Sequence, residues 1–243
     1  MAHDFWVWGH RGYPSCYPEN TEQGFSQAVA AGVDGIETDL QCSADKEVVL
    51  FHDATLDRVT NLHGAIGDRP WADLELARVR TPQGVLSSQG LLRLPDLFRI
   101  FGKSTVYCLE LKPSPASLDT LVDRTAEIIA EWDMAHFVII SSFDASALAL
   151  MAQKLPGVPR ALAVAPFSRE VWQAGSQRCH PQWIHLHCRD WSSWLEQGDT
   201  DTKAALWGFS PGDSLIWPQR PLPGAVFVDS PHEFSPAAGV IPC

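Results

Sequence analysis

The sequence is short of positive charge, of long apolar runs and of closely spaced cysteine pairs, and each shortage removes a class of protein. Lys and Arg number 18 against 29 Asp and Glu, for a net charge of -11. Nucleic-acid backbones are bound through a surplus of basic side chains, so no such partner is expected. A small phosphate ester remains open, because a bound cation can supply positive charge locally. No segment offers the roughly 18 successive apolar residues that a membrane-spanning helix requires. The start, MAHDFWVWGH, has neither a basic n-region nor a long apolar stretch, unlike a secretory signal, and a cytoplasmic location is the expectation. The six cysteines, Cys16, Cys42, Cys108, Cys179, Cys188 and Cys243, form no CxxC pair, and reduced thiols are expected.

What is present is an ordinary globular composition, 45% hydrophobic and 19% charged over 243 residues. Single α/β barrels commonly run to about 250 residues, so one domain over 1–243 is expected. The apolar run at 5–8 ends at Gly9 and suits a buried strand leading into a loop that begins His10, Arg11, Gly12. Asn20 reads as the cap of a helix in which Phe25, Ala28 and Val29 recur at helical spacing until Gly32. Residues 34–42 alternate, with Ile36, Thr38 and Leu40 on one face and Glu37, Asp39 and Gln41 on the other. Only Ser43, Ala44, Asp45 and Lys46 separate this strand from the run at 47–51, too few for a parallel crossover. The run therefore returns as a hairpin, setting His52 roughly opposite Glu37 to within a residue of register.

From 54 to 94 no strong periodicity appears, which marks a functional loop or a small insertion. Pro95 opens a short helix, and a strand at 105–111 puts Val106, Cys108, Glu110 and Lys112 on one face. The clearest helix is 114–133, with Pro115 in its first turn and an apolar stripe of Leu118, Leu121, Val122, Ile128 and Ile129. Further strands are read at 137–141, 161–165, 183–187, weakly at 215–217, and at 225–228, with a helix at 144–154. About eight strands alternating with helices favour a closed parallel α/β barrel, with an open doubly wound sheet as the alternative.

In a parallel barrel the carboxyl ends of the strands meet at one rim. That brings together His10, Glu37, Asp39, His52, Glu110 and Lys112. Three carboxylates suit one hard divalent cation, Mg²⁺ or Ca²⁺, and the lack of a Cys or His spacing motif speaks against zinc. Two histidines can divide the proton transfers that phosphodiester cleavage needs, and Arg11 and Lys112 can hold non-bridging oxygens. Taken singly, each residue has an ordinary explanation as a solvated face, a hydrogen-bonding histidine or an ion pair; jointly they do not. His3, His63, His136, His180, His185, His187 and His232 are assigned structural roles, the HxH at His185 and His187 included.

The residues HRG at 10–12, PENT at 18–21, GIETDLQCSADKEVVLFHD at 35–53, LDR at 56–58, LPDLF at 94–98, ELK at 110–112 and SSF at 141–143 together resemble the glycerophosphodiester phosphodiesterase family. The resemblance implies a TIM-type (β/α)8 barrel with a small insertion after the strand 2 hairpin, at about 54–94. It implies Glu37, Asp39 and Glu110 as ligands of one divalent cation and His10 and His52 as the catalytic acid and base. Arg11 and Lys112 would contact phosphate, Glu19 would be a supporting charge and Phe143 a wall of the pocket. The implied reaction is hydrolysis of glycerophosphodiesters, small phosphodiester substrates, to sn-glycerol 3-phosphate and an alcohol. A lysophospholipase D and a non-catalytic barrel that only binds are the competing readings. The segment after residue 198, ending Val228, Asp229, Ser230, Pro231, departs from the family pattern. Head group, nucleophile and oligomeric state are left open by the sequence.

Overall fold

The first strand, β1 (Trp6–His10), is followed by α1 (Glu22–Ala30), whose cap is Thr21, its side chain accepting from the Gly24 N–H. Asn20, the expected cap, instead turns inward: it is buried at a φ of 54°, and its amide serves β2. The computed structural model describes residues 5–114, 116–198, 201–209 and 222–233. Within them, β2 (Gly35–Cys42) and β3 (Val48–Leu50) form the expected hairpin. The register pairs Leu40 with Leu50 and Cys42 with Val48, so its continuation sets His52 level with Thr38, one residue from Glu37. The ladder stops at Leu50, which leaves His52 free of the strand's alternation.

A 3-10 turn (Ile66–Asp68), the short α2 (Trp71–Leu74) and isolated bridges such as Thr60 to Val79 follow. They close over their own apolar cluster of Val49, Phe51, Leu56, Val59, Ile66, Leu74, Ala77, Val79 and Leu91. This is why 54–94 shows no single period: its core is built from scattered loop positions. Next come α3 (Leu94–Phe101), β4 (Val106–Leu111), α4 (Leu118–Glu131), β5 (Val138–Ser142), α5 (Ala145–Lys154) and β6 (Arg160–Val164). Then follow α6 (Arg169–Cys179), β7 (Trp183–His187), α7 (Trp191–Gln197), β8 (Lys203–Trp207) and β9 (Ala225–Val228). Pro115 and the weak strand read at 215–217 lie outside the described residues. β8 was not foreseen. Cys16 is disulfide-bonded, which corrects the expectation of reduced thiols for that residue, whereas Cys42, Cys108, Cys179 and Cys188 are free.

Eight of these strands are parallel, and β1 pairs with both β2 and β9, so the sheet closes on itself with β3 as an antiparallel appendage. The fold is a TIM-type barrel. Alternation sorts the side chains of each strand between two cores. Outward residues such as Ile36, Leu40, Leu109, Ile140 and Leu186 pack against helix residues including Leu121, Ile129, Leu148 and Met151. Inward residues Trp8, Cys108, Ile139, Ala161, Trp183, Ala205 and Ala225 fill the bore. Two positions further along, the same faces carry His10, Glu110, Ser141, Ala163, His185, Trp207 and Phe227. The apolar layer is thus the floor of whatever the next layer holds.

Candidate active site

The next layer lines a cavity of about 170 Å³. His10, Arg11, Glu37, His52, Glu110, Lys112 and Phe143 border it together with His185, Trp207 and Phe227, whereas Asp39 and Glu19 do not. Glu37 and Asp39 project from one face of β2, and Asp39 is the register partner of Glu110 on β4. Each of the three offers a carboxylate oxygen, and these atoms lie within 4.8 Å of one another.

Such crowding has an electrostatic consequence. Burial, reinforced by the neighbouring charge of Asp39, pushes the Glu37 carboxyl up to about 8. Asp39 is just as buried, but the Arg11 guanidinium and the Lys112 ammonium hold it below its ordinary value. Lys112 Nζ lies 2.7 Å from Glu110 Oε1 and 3.3 Å from Asp39 Oδ1, and Arg11 Nε is 3.3 Å from Asp39 Oδ2. An all-oxygen set of three acids, one of them kept from ionising chiefly by burial, fits a hard divalent cation.

The chain is shaped locally to deliver these groups. Arg11 adopts a φ of 54° and Gly12 one of 92°, a left-handed turn that costs a side-chain-bearing residue energy. It aims the Arg11 N–H at Glu37, whose backbone carbonyl accepts at 3.1 Å and whose Oε2 accepts at 3.0 Å. Asn20 donates to Asp39 Oδ2 at 3.1 Å and accepts from Thr38 at 2.7 Å. Glu19 accepts from Arg11 at 3.3 Å and from both terminal nitrogens of Arg58 at 2.8 Å.

Each of the two site histidines is held through Nδ1 by an aspartate. Asp229 Oδ1 lies 2.6 Å from His10 Nδ1, and Asp53 Oδ1 lies 2.7 Å from His52 Nδ1. With the carboxylates accepting, Nδ1 carries the proton and Nε2 is the nitrogen left for chemistry. Burial disfavours the His10 imidazolium, but the Asp229 hydrogen bond and the charge of Glu37 outweigh it and raise the pKa. Asp53 is in turn gripped by Arg58, Nε to Oδ2 at 2.5 Å, which lowers its carboxyl to about 2.

Asp53, Asp229, Asn20 and Arg58 were not assigned site roles from the sequence. For Asp53 the signal was its adjacency to His52; for Asp229 it was its place at the carboxyl end of the strand read at 225–228, though nothing in the sequence paired it with His10. Of the histidines read as structural, His63 pairs with Asp57 on the surface, His232 hydrogen-bonds Tyr13, and His187 packs edge-on against Trp207. His185 differs, since it borders the cavity. His3 lies outside the described residues, and no helix among them is long and apolar enough to cross a membrane.

Comparison with known proteins agrees with this geometry. A glycerophosphodiester phosphodiesterase of Bacillus altitudinis is 30% identical over 161 residues, 64% of this chain and 65% of that protein. One from Caldanaerobacter subterraneus is 31% identical over 144 residues, 57% of this chain and 58% of that protein. The match thus spans less than two thirds of these relatives. Among solved structures, an Oleispira antarctica phosphodiesterase in complex with the product sn-glycerol-3-phosphate superposes with a TM-score of 0.77 at 21% identity, covering 94% of each chain. A glycerophosphodiester phosphodiesterase from Thermotoga maritima gives 0.72 at 22% identity, covering 96% of this chain and 98% of that one; at such identities these two establish the fold alone. The model of the glycerophosphoryl diester phosphodiesterase family matches residues 10–184, and on that match, over a closed barrel with the motifs gathered at one cavity, the chain belongs to this family.

Proposed function

We propose that the protein is a divalent-cation-dependent glycerophosphodiester phosphodiesterase, hydrolysing its substrate to sn-glycerol 3-phosphate and an alcohol. The observation that carries this reading is the pair of imidazoles, each held at Nδ1 by its own aspartate, bordering the cavity that Glu37 and Glu110 of the three-carboxylate cluster also line. Glu37, Asp39 and Glu110 would hold one cation, Mg²⁺ or Ca²⁺. When bound, it would neutralise phosphoryl oxygens as negative charge gathers on them. Arg11 and Lys112 border the same cavity and would hold the non-bridging oxygens, while Glu19 keeps Arg11 extended toward them.

His10 and His52 divide the proton transfers. One Nε2 takes the proton of the attacking hydroxyl as the new P–O bond forms; attack by water gives glycerol 3-phosphate directly, whereas attack by the neighbouring glycerol hydroxyl gives a cyclic phosphate that water then opens. The other Nε2 gives a proton to the alcohol oxygen as the old P–O bond breaks. The raised pKa of His10 suits it to arrive protonated and act as the acid. Phe143, half exposed at the rim, would form a wall against the departing group.

Purified protein supplied with Mg²⁺ or Ca²⁺ should release glycerol 3-phosphate from glycerophosphocholine and stop when EDTA is added. His10→Ala and His52→Ala should each reduce turnover by about 10²–10⁴-fold with cation affinity nearly unchanged. Failure to cleave any of several head groups, with cation present, would assign the barrel to binding alone. Preferential cleavage of a lysophospholipid offered in parallel would make it a lysophospholipase D.

A further inference from the structure

The cavity has two unlike halves. One holds Glu37, Glu110, Arg11, Lys112 and the two site histidines; the other is walled by Phe143, Ala163, Trp207 and Phe227. In the apolar half stand His185 on β7, only 6% exposed and packed edge-on against Phe227, and its neighbour Ser141.

Its protonation and tautomer follow from its surroundings. Burial without a neighbouring carboxylate lowers its pKa to about 3, so the ring is neutral under all working conditions. Its Nδ1 is 2.9 Å from Ser141 Oγ, the register partner of Glu110. Ser141 is buried and borders the same cavity, and Nδ1 is the hydrogen-bond partner of its hydroxyl among the described residues. A buried hydroxyl hydrogen without an acceptor is costly, so Ser141 is assigned as the donor to Nδ1. The ring proton is then on Nε2, as a donor.

Among the described residues Nε2 has no hydrogen-bond partner, and it is absent from the sealed side-chain atoms that lack one. This N–H therefore opens on the cavity. Its place in the bore is the layer that carries His10 and Glu110, two positions beyond Trp183 as they are two beyond Trp8 and Cys108. A ligand seated at the acids reaches it without leaving the cavity.

We propose that His185 is a specificity-determining residue, which donates from Nε2–H to a hydroxyl oxygen of the substrate's glycerol moiety while Trp207 and Phe227 cover its C–H surface. A neutral donor in an apolar wall selects an uncharged acceptor; the phosphate, being anionic, belongs with Arg11 and Lys112. This inference rests on the glycerophosphodiesterase reading, and its test separates the two.

Glycerophosphocholine carries hydroxyls only on its glycerol, and bis(4-nitrophenyl) phosphate carries none. His185→Phe should lower kcat/KM for the first about tenfold or more, the discrimination expected of a buried donor left without its partner. The second should change by less than about threefold, and His185→Gln, which restores an N–H, should recover part of the loss. Equal effects on both substrates, or none on either, would overturn the proposal. Independently of turnover, ¹⁵N spectra of the wild-type protein should show His185 as the Nε2–H tautomer, with its Nε2 resonance moving on addition of glycerol 3-phosphate in the presence of Mg²⁺. An unmoved resonance also overturns the proposal. A moving resonance in a protein that cleaves no glycerophosphodiester would keep the glycerol subsite and remove the activity.

Discussion

Glu37 shows how a single residue can be set against the stability of its own fold. Its carboxyl is buried beside Asp39 and titrates near 8 rather than at its ordinary 4.5. An acid whose folded pKa is raised binds its proton more tightly in the native state than in the unfolded one. Its contribution is therefore complete below 4.5 and is lost as pH rises through about 8. The cation-free protein should lose thermal stability across that window. Glu37→Gln, whose amide oxygen can still accept from the Arg11 N–H, should melt higher than the cation-free wild type at pH 8, by roughly 5 °C, since each kcal/mol moves the midpoint of a chain this size by about 2–4 °C. Added Mg²⁺ or Ca²⁺ should raise the wild-type midpoint and leave that of Glu37→Gln nearly still. Scanning fluorimetry decides it, and a variant that melts lower would contradict the buried-charge account. Glu37 and Asp39 were legible because alternation along one strand places them without tertiary information. Asp229 was not, because its partner His10 is 219 positions away in sequence and only the closure of the barrel joins them.

At the scale of elements, β1 and α1 approach so closely that the contact has room only for glycine. A Cβ built on Gly9 would lie 2.6 Å from the Gly12 carbonyl oxygen and 2.9 Å from Ala28 Cβ. Neither atom belongs to a flexible side chain, so backbone must move, and overpacking of this kind costs roughly 1–3 kcal/mol. Gly9→Ala should lower the unfolding free energy by about that amount in urea titration and also reduce activity, because the displaced turn carries His10 and Arg11. Stability without loss of activity would show the turn to be uncoupled from the helix. Elements with strong local signals were legible: the β2 alternation, the four-residue hairpin, the stripe of α4. α6 escaped because its sequence, REVWQAGSQRC, buries only Trp172 and Cys179 and has a glycine in the middle, which meets Leu162 closely. β8 escaped because Lys203–Trp207 is a short apolar run whose strand character comes from pairing with β7 and β9. The one-residue slip at His52 has the same origin, since turn length sets register only to within a bulge.

For the whole molecule, the question is how the insertion, which packs around its own apolar cluster, is tied to a barrel that could close without it. Arg58 is the tie. From the insertion it spans two carboxylates, Glu19 through Nη1 and Nη2 at 2.8 Å and Asp53 through Nε and Nη2 at 2.5 and 3.0 Å. Glu19 holds Arg11, and Asp53 holds His52. Through these two acids one guanidinium orients Arg11 and His52 at once, a planar two-sided grip that lysine cannot reproduce. Arg58→Met should reduce kcat by about 10–100-fold, the usual effect of removing a group that orients a site residue, with KM changed less. If Arg58 acts on His52 through Asp53, then Asp53→Asn removes the same support. The double variant Arg58→Met/Asp53→Asn should accordingly be little worse than the poorer single variant, a coupling within the roughly 0.5–3 kcal/mol typical of residues in one network. Additive losses would mean that Arg58 serves the site through Glu19 and Arg11 alone. Arg58→Lys separates geometry from charge, because it keeps the positive charge but cannot bridge both acids; kinetics close to those of Arg58→Met would identify the two-sided grip, rather than the local field, as what the insertion contributes.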